Sequence, residues 1–391
     1  MPKNKGKKTA AESVPKPKQR QQGLSDVVAC TSSICFIDGA QGRLIYRGYD
    51  ALELAACSSF EEVAYLLWYG RLPGLTEFKA FLDGFTGSMF LPVETVMILR
   101  MFPKAATPME VLRTAVSSLG HWDPDSGNTR LDASLRKAQR LTERVPLIIA
   151  AHQRLREGLE PISPIAHQGI AYNFLYTLKG VEPDPEIVRA FDIALILHAD
   201  HELNASTFAA RVTAATLSDI YSAMCSAIGA LKGPLHGGAN MEVMRMFEQI
   251  DTADKAEKWV LDQLADNKKI PGFGHRVYKC EDPRVQILRE YAGRIASKTG
   301  DTRLFEIAMV VEQTMLSHSK VFPNVDFYTA PLYSAMGIPI ELYTPIFAMS
   351  RTVGWTAHVL EQWSDNKLIR PRAEYTGPSL IKYVSIEKRF S

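Results

Sequence analysis

Residues 233–240 read Gly-Pro-Leu-His-Gly-Gly-Ala-Asn, and residues 271–279 read Pro-Gly-Phe-Gly-His-Arg-Val-Tyr-Lys. Each run places one histidine, His236 or His275, among glycine and proline. Proline fixes the direction of the backbone and glycine lets the main chain approach a ligand closely, so such a run can hold a histidine ring at a defined, exposed position. Either run alone is explained equally well by an ordinary turn whose histidine caps a helix. The two runs together, followed by the apolar segment 324–330 around Asp326, indicate a catalytic site.

These three segments, in this order, resemble the active-site segments of the citrate synthase family, which includes 2-methylcitrate synthase. The likeness extends from about Gly23 to the C-terminus, because residues 46–49 (YRGY) and 370–372 (RPR) also resemble the family. The resemblance implies a short bacterial- or archaeal-like dimeric form with a mainly α, two-domain fold. It places a large helical domain at 24–237 and 338–391 and a small helical domain, inserted into it, at 238–337.

Composition limits the classes of protein that this chain can belong to. A length of 391 residues with 46% hydrophobic content is ample for a large core. The five cysteines are odd in number and scattered without a C-x-x-C pair, which argues against a disulfide framework and a thiolate metal site. No apolar run reaches the roughly 18 residues of a membrane span, and no secretory leader opens the chain. We therefore expect a cytoplasmic protein without a membrane partner.

The positive charge is concentrated at the N-terminus. Residues 1–23 hold seven lysines and arginines against Glu12 alone, a local charge of +6 that leaves −4 on the remainder of a chain whose net charge is +2. The tail has almost no large apolar residues, which predicts disorder. A transit peptide is the alternative, but the segment lacks an apolar helical face and is richer in Lys than in Arg. Because the body is mildly acidic, a nucleic-acid partner is not expected.

The remaining pattern predicts a mainly α protein with one small β-hairpin near the N-terminus. Residues 34–37 and 44–46 read as two strands joined by an Asp38-Gly39 turn. Helices are predicted after a Ser59 capping box, after Thr107, over 131–155 with Pro146 kinking or splitting the helix, from Asp184 to His198, and over 217–231, 242–250, 254–265, 284–298, 304–317 and 345–363. No βαβ alternation or internal repeat is present.

Three residues are predicted to carry the chemistry. His236 lies where a loop should enter a helix, and a helix N-terminus favours a neutral imidazole that donates a hydrogen bond. His275 lies within reach of several lysines, a setting that suits an anionic ligand. Asp326 lies among apolar residues, where burial would raise its pKa and strengthen it as a base, whereas an ion pair would make it structural. The resemblance favours the catalytic reading of all three.

His198 and His201 are spaced as neighbours on one helical face, which raises the alternative of a metal-dependent hydrolase. The H-E-x-x-H pattern is absent, so we expect no metal site. The resemblance instead assigns oxaloacetate binding to His201.

Arginines suit a dicarboxylate substrate, because their planar forks bind carboxylates bidentately. Arg284, Arg351 and Arg370 would each more often be surface ion-pair partners, but the resemblance assigns them to oxaloacetate and citrate, with Arg370 reaching the site from the partner subunit. It also places Phe347 in the substrate pocket. On the basis of charge alone, we expect four residues to contact the CoA phosphates: Lys268, Lys269, Arg276 and Lys279.

The resemblance implies an enzyme that condenses acetyl-CoA with oxaloacetate to give citrate and CoA. 2-Methylcitrate synthase, which uses propionyl-CoA with the same catalytic groups, is the alternative. The reaction requires no cofactor, acetyl-CoA being a substrate. A non-catalytic helical binding protein is disfavoured because His236, His275 and Asp326 are all present. We expect a homodimer without the additional N-terminal β domain of NADH-inhibited forms.

Overall fold

The computed structural model describes residues 27–87 and 89–389, so the predicted basic tail at 1–23 lies outside the described residues. The predicted hairpin is confirmed. Strand β1 (Cys35–Asp38) pairs antiparallel with β2 (Arg43–Tyr46), and the carboxylate of Asp38 accepts the backbone N–H groups of Ala40 and Gln41 in the turn. A short third strand that the sequence did not predict, β3 (Tyr49–Asp50), extends the sheet beside β2.

Helices are the other main elements of the described fold, which confirms the mainly α prediction. In chain order they are α1 (Ala51–Cys57), α2 (Phe60–Tyr69), α3 (Leu75–Gly87), α4 (Val93–Met101), α5 (Pro108–Leu119), α6 (Leu131–Arg156), α7 (Ile170–Lys179), α8 (Pro185–His198), α9 (Ala205–Ala215), α10 (Ile220–Leu231), α11 (Ala239–Ile250), α12 (Ala253–Ala265), α13 (Arg284–Thr299), α14 (Arg303–His318), α15 (Val325–Ala335) and α16 (Tyr343–Ser364). Short 3-10 turns cover Ile340–Leu342 and Ile386–Lys388.

Local capping explains where several helices begin. The hydroxyl of Ser59 accepts the N–H of Glu62 at the start of α2, and Thr107 with Glu110 forms a capping box before α5. The carboxylate of Asp184 accepts the N–H of Glu186 at the start of α8. Each side chain satisfies a backbone donor that the helix itself leaves free.

Of the two alternatives predicted for Pro146, a split is excluded, because α6 is continuous and its packing against α5, α7 and α16 offsets the one hydrogen bond that proline removes. A kink at Pro146 stays a prediction. One expected helix start needs correction. The helix predicted from Leu217 begins at Ile220 instead, since Leu217 adopts a φ of 64° and Asp219 supplies the N-cap.

Helix α16 lies at the centre of the fold. It packs against α2, α6, α8, α9 and α10, and it buries Trp355 completely. This position places Phe347 and Arg351 in the interior, beside the C-terminal end of α8. The predicted division into a domain at 24–237 with 338–391 and an inserted domain at 238–337 stays a prediction. Within the described residues, no helix combines the length and apolar character that crossing a bilayer requires.

Candidate active site

His236 lies in the tight turn between α10 and α11, as predicted. Glycine at position 237 is required there, because a Cβ would lie 2.6 Å from the carbonyl oxygen of Leu231. Burial, and then the charge of Arg351, lowers the pKa of His236 to about 4. The ring is therefore neutral near pH 7, as expected, but the first cause is burial and not the helix N-terminus.

Ser206 selects the tautomer of His236, a role that sequence analysis missed. The backbone N–H of Ser206 donates to Nε2 of His236 at 3.3 Å, and the Ser206 hydroxyl lies 2.8 Å from the same nitrogen. A backbone N–H can only donate, so Nε2 acts as the acceptor and the ring proton resides on Nδ1. Trp355 donates its indole N–H to the Ser206 hydroxyl at 3.2 Å, which holds that hydroxyl in place. His236 thus presents Nδ1–H as its free donor.

His275 is held in the opposite tautomer. Its Nδ1 accepts the backbone N–H groups of Val277 and Tyr278 at 3.0 and 3.1 Å, so the proton resides on Nε2. Burial, followed by the charge of Arg284, lowers the pKa of His275 to about 4. The lysines that the sequence places nearby are not the source of this shift. His275 therefore offers a neutral Nε2–H donor in the field of a guanidinium.

His201 lies beside His275, with the two ring centroids 5.2 Å apart. Tyr278 completes the group, its ring centroid lying 5.7 Å from that of His201 and 4.6 Å from that of His275. Burial and Arg284 hold the pKa of His201 well below its usual range. Its Nε2 is buried without a hydrogen-bond partner in the described part of the chain.

His198 ends α8, and His201 lies beyond that helix, so the expectation that both share one helical face is wrong. The peptide carbonyl of Ala194 accepts Nδ1–H of His198 at 2.7 Å, and burial lowers the pKa of His198 to about 3. Its Nε2 is also without a partner among the described residues. No group of three or more His, Cys, Asp or Glu side chains in residues 27–87 and 89–389 is arranged to hold a metal ion.

Phe347 forms an apolar wall between several of these groups. Its ring centroid lies 5.3 Å from that of His198 and 6.2 Å from that of His236, while the guanidinium carbon of Arg351 lies 4.7 Å from it. Arg351 is 1% exposed and donates from Nε to the carbonyl of His198 at 2.7 Å, but its Nη2 has no partner in the described structure. Most buried polar groups in folded proteins have a hydrogen-bond partner, so a cluster of unpaired ones calls for an explanation. The free Nη2 of Arg351, which can only donate, therefore indicates a pocket for an anionic ligand, and the free Nε2 atoms of His198 and His201 show that the pocket is polar.

Asp326 opens α15, where the side chain of Asn324 accepts its backbone N–H. Burial raises the pKa of Asp326 to about 6; Arg284 and Arg351 act to lower it, and Asp282 acts to raise it. No hydrogen bond or ion pair reaches its carboxylate from the described residues. The side chain has the properties of a base and not of an ion-pair partner, which matches the catalytic reading.

Arg284 is 2% exposed and pairs bidentately with Asp282, at 2.9 Å through Nε and 2.6 Å through Nη2. The same guanidinium affects the pKa of His201, His275 and Asp326. One group of electrostatically interacting side chains is therefore formed by His201, His275, Arg284, Arg351 and Asp326. Arg351 and Phe347 connect this group to His236.

The other predicted residues are not part of this group in the single chain. Arg370 is exposed in the extended segment that follows α16. The proposed CoA contacts are all exposed as well, and Lys268 pairs with Asp266 at 2.9 Å: Lys268, Lys269, Arg276, Lys279.

Buried groups that sequence analysis did not identify form hydrogen bonds around the loop that carries His201. The carboxylate of Asp200 contacts Nε2 of His358 at 3.3 Å, and Arg211 contacts Nδ1 of His358 at 3.1 Å. Tyr46, in the family-like segment 46–49, donates its hydroxyl to the carbonyl of Asp200 at 2.9 Å. Gly354 permits the approach, since a Cβ there would lie 2.3 Å from the Asp200 carboxylate.

Comparison with known proteins identifies the family to which the chain belongs. A family model described as citrate synthase, C-terminal domain, matches residues 23–372. The chain belongs to the citrate synthase family. Citrate synthase 2 of Bacillus subtilis is 49% identical over 369 residues, covering 94% of this chain and 99% of that protein. A 2-methylcitrate synthase of Mycobacterium tuberculosis is 43% identical over 357 residues, covering 91% of this chain and 90% of that one.

A solved structure shares the fold at full length. The citrate synthase of Thermoplasma acidophilum, described as a ternary complex with carboxymethyl coenzyme A and oxaloacetate, aligns with a TM-score of 0.90 at 34% identity. The alignment covers 95% of this chain and 100% of that one. The all-helical fold of the citrate synthases is therefore the fold of this chain.

Proposed function

We propose that this enzyme condenses acetyl-CoA with oxaloacetate and water to give citrate and CoA, the reaction that introduces acetyl groups into the tricarboxylic acid cycle. The observation that carries the proposal is the combination of a raised-pKa carboxylate at Asp326 with two neutral histidines whose free donors are fixed, Nδ1–H on His236 and Nε2–H on His275. Curated relatives and a solved ternary complex of the same family support it.

Proton abstraction is the first step. The methyl group of acetyl-CoA is too weak an acid for a carboxylate acting alone, so the negative charge that develops on the thioester oxygen must be stabilised as it forms. Asp326 removes the proton, and Nδ1–H of His236 donates to the thioester oxygen. A neutral donor suits this task because the ring is held neutral before substrate arrives.

Carbon–carbon bond formation follows. The nucleophilic methylene carbon attacks the ketone carbon of oxaloacetate, whose oxygen accepts a hydrogen bond from Nε2–H of His275. His275 then donates this proton to the oxygen, which becomes the hydroxyl of citryl-CoA. Hydrolysis of the thioester then releases citrate and CoA. No step calls for a metal or redox cofactor, and we expect activity to survive treatment with EDTA.

The carboxylates of oxaloacetate are held by His201, Arg284, Arg351 and Arg370. The free Nη2 of Arg351 and the free Nε2 of His201 support this assignment, because each is a buried polar atom without a hydrogen-bond partner among the described residues. Phe347 forms the apolar side of the pocket. The exposed cations Lys268, Lys269, Arg276 and Lys279 contact the CoA phosphates. We also propose a homodimer in the cytoplasm, with Arg370 contributed by the partner subunit.

Closure of the 238–337 domain over the remainder of the chain excludes water until citryl-CoA exists. Two glycines lie at the proposed boundaries. Gly237 is tightly packed, and Gly337 adopts a φ of 67°, where other residues are strained.

2-Methylcitrate synthase activity is a second candidate, favoured by the 43% identity to a relative of that name. One methylene in an apolar pocket changes selectivity by only about 10- to 200-fold. Steady-state release of CoA thiol with acetyl-CoA and propionyl-CoA, each with and without oxaloacetate, tests both functions. We expect the higher kcat/KM with acetyl-CoA. A higher value with propionyl-CoA would reverse the assignment, and no oxaloacetate-dependent release with either would contradict both.

A further inference from the structure

Asp282 is a buried carboxylate between two elements of the site, and nothing above gives it a role in the reaction. It is 1% exposed, and within the described residues the hydrogen bonds to its carboxylate come from two segments. Its Oδ1 accepts the backbone N–H and Nε of Arg284 at 3.1 and 2.9 Å. Its Oδ2 accepts Nη2 of Arg284 at 2.6 Å and the backbone N–H of Val325 at 3.2 Å.

One carboxylate therefore joins the start of α13, which carries a proposed substrate arginine, to the start of α15, which carries the proposed base. We propose that Asp282 is a positioning residue that holds Arg284 and the first turn of α15 in register and balances the charge that Arg284 would otherwise exert on Asp326. This inference rests on the proposed function of Arg284 and Asp326.

The charges around Asp326 show why such a balance matters. The groups acting on it are Arg284 on α13, Arg351 on α16 and Asp282 in the loop before α13, while Tyr333 on α15 lies within the field of Asp326 itself. Both arginines lower the pKa of Asp326, and Asp282 raises it. Without Asp282, two buried guanidinium groups would act on the base with no opposing charge. The base would become weaker just where the reaction needs it strong.

The geometry also restrains the guanidinium. Nε and Nη2 of Arg284 are occupied by Asp282, which directs the remaining donors of the fork toward a ligand. A guanidinium released from Asp282 would be free to pair with Asp326 and remove the base from the reaction. Asp282 thus keeps the arginine available to substrate and the carboxylate available to the methyl group.

The Asp282→Asn variant tests the proposal. Asparagine keeps the shape, removes the charge and turns an N–H donor toward either Arg284 or Val325, both of which are donors. The measurement is kcat/KM for acetyl-CoA against pH, at saturating oxaloacetate. The acid limb of this profile is the pH range in which kcat/KM rises as the base ionises. We expect the acid limb to move about one pH unit lower and kcat/KM above that limb to fall about tenfold.

A matched control separates this effect from loss of folding. Asp123 is likewise buried and binds Arg140 bidentately at 2.7 and 2.6 Å, but its charge does not act on Asp326. Asp123→Asn should lower the melting temperature to a similar degree and leave the acid limb in place. Asp282→Glu, which keeps the charge, should retain the wild-type limb.

Each outcome decides something. An Asp282→Asn limb at the wild-type position, or an Asp282→Glu limb displaced as far as that of Asp282→Asn, overturns the inference. If Asp282→Asn is too inactive to give a limb, Asp282→Glu is compared with wild type directly, and an Asp282→Glu limb displaced by about one pH unit overturns the inference. A wild-type enzyme without oxaloacetate-dependent thiol release would instead contradict the proposed function on which the inference rests.

Discussion

His201 and His275 meet edge to face, with ring centroids 5.2 Å apart and an interplanar angle of 71°. Burial lowers the pKa of both rings, and the charge of Arg284 lowers both further. Two imidazoles can share this pocket with a guanidinium because neither is protonated. In the proposed substrate complex, the positive charge that receives a dicarboxylate therefore comes from arginine, and the histidines are neutral hydrogen-bonding groups.

The pH dependence of the rate follows from these pKa directions. The pKa values of His236 and His275 both lie near 4, and that of Asp326 lies near 6. A general base must be ionised, so kcat/KM for acetyl-CoA should rise as pH increases through about 6 and then level off. Each pH unit below that limb should cost about tenfold. Initial rates of thiol release across the range check this, and a limb near pH 4 would assign the titration to another group.

Asp326 should also make folding stability depend on pH. Its pKa is higher in the folded protein than the ordinary value of 3.8, so the folded state binds the proton more tightly than the unfolded state does. The contribution of Asp326 to stability is present below pH about 4 and is lost as pH rises toward 6. Asp326→Asn should therefore raise the melting temperature at neutral pH. Calorimetry at pH values on either side of this window tests the sign, and a lower melting temperature at neutral pH would contradict it.

Replacing His236 should remove stabilisation of the developing oxyanion. We expect His236→Ala to lower kcat about 10²- to 10³-fold with little change in oxaloacetate binding, because the lost hydrogen bond forms only as charge develops. His121→Ala, at an exposed histidine in the turn after α5, is the control and should behave as wild type. Equal losses in kcat and in oxaloacetate affinity would point to a structural role for His236.

Arg370 offers a test of the dimer. If it acts on the partner's site, Arg370→Gln and Asp326→Asn enzymes should each be inactive as homodimers. A mixed dimer of the two would contain one complete site, formed by Asp326 of one subunit and Arg370 of the other. Unfolding and refolding the two variants together should restore thiol release, whereas refolding each alone should not. Failure to restore activity, with mixed dimers confirmed by mass spectrometry, would place Arg370 in the site of its own chain.

Much of the helical fold was predictable because its signals are local. Ser59, Thr107 and Asp184 each precede an apolar helical pattern and cap the helix that follows. The helix start at Ile220 was misplaced because the apolar residue Leu217 continues the periodicity, and only its positive φ shows that the helix has not begun.

The site residues also divide into those with a local sequence signal and those without one. His236 and His275 stood out because glycine and proline surround them. Ser206 lies thirty residues from His236 in the sequence, at a helix start where serine is common, so no local pattern links the two. Asp282 pairs with a residue only two positions away, but its contact with Val325 arises from the packing of two helices. Interactions of that kind are properties of the tertiary structure.

The most direct test of the account compares wild type with Asp326→Asn in the release of CoA thiol from acetyl-CoA, with and without oxaloacetate. We expect rapid release by wild type only when oxaloacetate is present. The variant should lose about 10²- to 10⁴-fold in kcat while still binding oxaloacetate, because only the proton-abstracting group has been removed. Asp301→Asn, at an exposed aspartate in the turn between α13 and α14, serves as the control. A variant as active as wild type would contradict the assignment of Asp326 as the base.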